Sequence, residues 1–68
     1  MTKPNDSNGF TFRPIRDVRG FRRRAGMNQL EFWGQFGVTQ SGGSRHESGR
    51  RMNKPLIALI RIRYPKIH

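Results

Sequence analysis

Gly26, Gly37 and Gly49 each stand directly behind a short run with an apolar face, so no helix in the middle of this chain can be long. Glycine in these places supplies the left-handed backbone that ends a helix. Asn28 follows the first of them and Thr39 the second. Both are side chains that accept a hydrogen bond from the free N–H groups of a helix start. A stop followed by a start, twice over, leads to a small bundle of short helices. Val18, Phe21, Arg22 and Ala25 recur at helical spacing, and Pro14 suits a first turn, which predicts a helix over 14–25. Leu30, Phe32, Trp33 and Phe36 predict a second over 29–36, with Val38 as a buried turn residue, and Gln40 to Ser48 form the third. The stretch LIALIRIRYP is ambiguous. Leu56, Leu59, Ile60 and Tyr64 fit a helix, whereas Ile60, Ile62 and Tyr64 alternating with Arg61 and Arg63 fit a strand. Pro55 favours a helix that ends before Pro65. Residues 1–12 read as a flexible segment that Phe10 and Phe12 could tether, 13–64 as the domain and 65–68 as a tail. The expected class is all-α with about four helices.

Packing alone must hold this bundle, because the chain has 68 residues and no cysteine. Charge then narrows its partners. Lys and Arg number 14 against 4 Asp and Glu, a net charge of +10, and eleven of the fourteen are Arg, whose planar fork matches phosphate oxygens and guanine edges. A polyanion is the expected partner. The longest apolar run, Leu56 to Ile60, is far too short for the ~20 residues of a membrane span, and no secretory signal is evident. Four carboxylates, no acid–base pair and no phosphate-cradling loop point away from an enzyme. No cofactor is expected. With only His46 and His68 as imidazoles, no metal site is expected either.

The ordered set Gln29, helix, Gly37, Val38, Thr39, Gln40-Ser41 resembles the helix-turn-helix of the XRE, or lambda-repressor-like, DNA-binding family. The AGMNQ entry at Ala25 to Gln29 and the ESG exit at Glu47 to Gly49 extend the likeness to roughly residues 14–60. The resemblance implies a small lambda-repressor-like bundle whose third helix enters the major groove of double-stranded DNA. Gln40, Ser41 and Arg45 would read bases, with Gly42 and Ser44 beside them. Asn28, Gln29, Arg50, Arg51 and Lys54 would contact phosphates, and Arg22 and Glu47 would form a structural ion pair. For each polar residue the plain alternative is a solvated side chain, and for Asn28 a cap and nothing more. The implied function is a sequence-specific transcription regulator, a repressor by type, in the cytoplasm of a bacterium or encoded by a phage and associated with the nucleoid. A homodimer or a toxin partner is compatible with it, and no membrane is involved. The alternative is a nonspecific architectural or RNA-binding protein, for which the basic charge alone would suffice.

The chain departs from that family in three places. Trp33 stands where a small residue is usual and Gly43 where a branched one is usual, an exchange that conserves volume if the two face each other. His46 occupies a commonly apolar position, which predicts a partly buried or phosphate-facing imidazole. The chain stops four residues after Tyr64, so a family-like fifth helix would be truncated.

Overall fold

The computed structural model describes residues 13–68; the segment 1–12, with its expected flexibility and the tethering role of Phe10 and Phe12, lies outside the described residues. Four helices and no strand are present among the described residues: α1 (Val18–Arg24), α2 (Gln29–Gly34), α3 (Gln40–Glu47) and α4 (Lys54–Arg63). The fold is all-α.

Each helix starts on a side-chain cap. Asn28 accepts from the N–H of Glu31 while Glu31 reaches back to the N–H of Asn28, a complete capping box. Thr39 Oγ1 accepts from the N–H of Gly42 at 3.0 Å. Asp17 and Asn53, which the sequence reading passed over, do the same for α1 and α4. Asp17 explains the first correction: α1 begins at Val18, not at Pro14. Its carboxylate takes the N–H of Gly20, and the residues before it run against the far end of the chain, where Arg16 N–H donates to the His68 carbonyl at 2.9 Å. Lys54, one of the residues expected at phosphate, is the first residue of α4, with Pro55 in its first turn.

The ambiguity at 55–64 resolves to helix, and burial shows why. A strand would place Ile60 and Ile62 on one face; instead Ile60 is fully buried and Ile62 is 73% exposed. Leu56, Ile57 and Ile60 give α4 a single apolar stripe, which packs with Ile15, Val18, Phe32, Trp33 and Ile67 to form the core. Of residues 65–68, read as a tail, Ile67 joins the core, while Pro65, Lys66 and His68 are exposed. Tyr64 anchors this end: its ring meets Phe21, Phe32 and Phe36 at centroid distances of 5.3, 5.7 and 6.4 Å, and its hydroxyl donates to Gln35 Oε1. Tyr64 and Ile67 thus add apolar area to the core after the end of α4. No helix among the described residues is long and apolar enough to cross a membrane.

Candidate nucleic-acid interface

The turn between α2 and α3 is built from backbone and two caps. Gly37 takes φ +73°, a conformation a side chain would strain, and Val38 N–H then closes on the Trp33 carbonyl at 3.1 Å. Thr39 starts α3 immediately, and α3 meets α2 where Gly43 faces Trp33. That glycine lies beneath the Trp33 ring. A Cβ built on it would fall 2.7 Å from the indole nitrogen and nearer still to the ring carbons, so position 43 has no room for a side chain while Trp33 is there. His46, one turn on, is half-buried against the same ring at 5.4 Å, with Nδ1 3.3 Å from the Arg50 carbonyl.

The inner end of α3 is fixed by charge. The Glu47 side chain is fully buried, and Arg22, 8% exposed, grips it from α1 with Nε on Oε2 at 2.8 Å and Nη2 on Oε1 at 3.0 Å. Trp33 Nε1 adds a second hydrogen bond to Oε2 at 2.8 Å, and Gln29 Nε2 donates to Oε1 at 3.2 Å. Arg19 reaches the same oxygen at 3.4 Å from the outside. Burial pushes the Glu47 carboxyl up, but the hydrogen bonds from Arg22, Trp33 and Gln29, with the Arg22 charge, outweigh it and hold the pKa at about 2, below the ordinary 4.5. The bond to Glu47 in turn raises Arg22 against the opposing effect of its burial.

A stability test follows from that shift. A depressed carboxylate contributes stability that is complete above its unfolded pKa and lost as pH falls through the folded one. Glu47 therefore should remove on the order of 3 kcal/mol between pH 4.5 and 2, read as a falling melting temperature across that window. A melting temperature level from pH 4.5 to 2 would contradict the network.

The outer face of α3 is different in character. Gln40, Ser41 and Arg45 are exposed and Ser44 is half-buried, and these four line one groove together with Gln29. Gly42 sits half-buried beside them, its N–H used by the Thr39 cap. Residues 19–63, from the second residue of α1 to the last of α4, match the sequence profile of the RsaL-like HTH domain. The chain belongs to the RsaL-like HTH family. Comparison with curated proteins and with solved structures gave no match.

A helix-turn-helix is a nucleic-acid-binding module, and the RsaL-like domain carries two sets of polar residues of different geometry. The groove on α3 holds the residues singled out for base reading. Arg50, Arg51 and Lys54 are absent from it; they line a second groove with Arg16 and Arg19, between the start of α1 and the α3–α4 loop. Arg16 and Arg19 were not foreseen, because they belong to a segment that reads as helix by its spacing and meets the loop only in the folded chain. Two residues expected at phosphate are engaged inside the RsaL-like domain. Asn28 has both its side chain and its N–H in the capping box, and Gln29 gives its amide to Glu47. Asn28 is thus a cap with its N–H already taken. Gln29 retains a groove-lining position, but its Nε2 is turned inward.

Proposed function

We propose that this protein is a sequence-specific, double-stranded-DNA-binding transcription regulator, a repressor of the lambda-repressor-like type, that lays α3 in the major groove. The observation that carries the reading is the two-sidedness of α3. Its inner face is pinned through Gly43 and Glu47, and its outer face offers Gln40, Ser41, Ser44 and Arg45 in one groove. Glutamine matches adenine and arginine matches guanine with paired hydrogen bonds in the major groove, each worth roughly 1–3 kcal/mol of discrimination. Arg50, Arg51 and Lys54, beyond the end of α3, serve the phosphates, and Arg16 and Arg19 join them from the same groove. The activity is binding, without a reaction. The proposal extends to a homodimer, supported by the exposure of Leu59 (49%) and Ile62 (73%) on α4.

Reading and anchoring separate by mutation. Arg45→Ala should lose preference at particular base pairs, whereas Arg51→Ala should weaken every duplex alike and lower the slope of log affinity against log salt by about 0.9. Both variants losing affinity in the same way on all duplexes would favour a nonspecific basic binder instead.

A further inference from the structure

We infer that Trp33 is a positioning residue for base readout: through its indole N–H it orients Glu47, and through Glu47 the amide of Gln29 at the edge of the α3 groove. The inference rests on the DNA-binding function proposed for this groove. Trp33 is fully buried, so it touches no duplex itself, and its influence must pass through its neighbours. One of those neighbours is Gly43, on which the ring rests. The other is Glu47, and here the pattern of donors is specific.

Each oxygen of the Glu47 carboxylate is held by two close donors. Oε2 takes Arg22 Nε and Trp33 Nε1, both at 2.8 Å; Oε1 takes Arg22 Nη2 at 3.0 Å and Gln29 Nε2 at 3.2 Å. An ionised carboxylate only accepts, so the side of Gln29 that faces it must be the NH2 group. The amide orientation of Gln29 is thereby fixed by chemistry: nitrogen toward Glu47, carbonyl oxygen on the other side. Gln29 also lines the groove with Gln40, Ser41, Ser44 and Arg45. The side chain therefore links a buried carboxylate to the groove, with its carbonyl oxygen the group left free of Glu47.

The indole is the shorter of the two bonds that hold the carboxylate from the α2 side, 2.8 Å against 3.2 Å from Gln29. Without its N–H, Oε2 keeps only Arg22 Nε, the carboxylate is clamped by the Arg22 fork of α1 alone, and Gln29 no longer shares its acceptor carboxylate with a second fixed donor on α2. A hydrophobic residue of the same size would still fill the space over Gly43 but would leave this orientation unset. Packing and positioning are thus separable functions of one side chain, and the N–H carries the second.

The test compares wild type with Trp33→Phe and with replacement of Trp33 by benzothienylalanine, which keeps the two-ring shape and has no N–H. The probes are a duplex enriched by the wild-type chain from a random-sequence pool and the unselected pool itself, with folding checked by circular dichroism. The expected result is a loss of about tenfold in preference for the enriched duplex, with affinity for the unselected pool unchanged. Gln29→Ala should lose the same preference, and combining it with Trp33→Phe should cost little more than either alone. A folded variant that discriminates as wild type does, or one weakened equally on both probes, overturns the positioning role. Failure of the wild-type chain to enrich any duplex overturns the DNA-reading function instead, so the two failures are distinguishable.

Discussion

Arg22→Ala is expected to unfold the domain or to lower its stability by about 3–5 kcal/mol, while Arg23→Ala, one residue along the same helix, should stay within about 0.5 kcal/mol of wild type. The difference lies in what each side chain leaves behind. Arg23 is exposed. Arg22 supplies a charged donor to each oxygen of a carboxylate with no solvent access, and its Nη1 also bonds the Met27 carbonyl at 2.9 Å, tying the end of α1 to the entry of α2. Truncation would strand a buried negative charge and free a loop carbonyl at once. Domains of this kind are stable by only about 5–15 kcal/mol, so the loss is a large share of the total. Urea midpoints measure it, and equal midpoints for the two variants would contradict the buried pair.

Trp33→Ala is expected to cost about 3–5 kcal/mol, because it empties the space over Gly43 and removes one donor from Glu47. Gly43→Val alone should be at least as damaging, since its Cβ has no place beneath the indole. Joined in one chain the two should be far from additive, with the valine filling part of the hole the indole leaves. Recovery should remain incomplete, because no valine atom can donate to Glu47. Additive losses in urea denaturation would show that Trp33 and Gly43 do not share one space.

These two sites also mark how far the sequence could be read. The boundaries of α2 and α3 are legible because their signals are local: a capping asparagine, a glycine with positive φ, a threonine, each within a few residues of the backbone it serves. The volume exchange between Trp33 and Gly43 could be inferred from two departures in one pattern. The hydrogen bond from Trp33 to Glu47 could not, since it needs the two helices already crossed. The start of α1 was misplaced because Pro14 and Asp17 are both good helix openers, and only the pairing of Arg16 with His68 decides between them. Residues 65–68 look polar and terminal in sequence, yet Ile67 is 2% exposed because Tyr64 turns the chain back onto the aromatic cluster. Within the candidate interface, residues on one helix face were legible from the period. The partnership of Arg16 and Arg19 with the α3–α4 loop was not, because it joins segments far apart in the chain.

The central claim, that the outer face of α3 reads base pairs, is tested most directly by enrichment of duplexes from a random-sequence pool by the intact chain and, in parallel, by its Arg45→Ala variant. The expected result is a defined half-site for the wild type and, for the variant, the same half-site with preference lost at one or two base pairs. A wild-type chain that enriches no sequence, or a variant whose half-site is unchanged at every base pair, would contradict it.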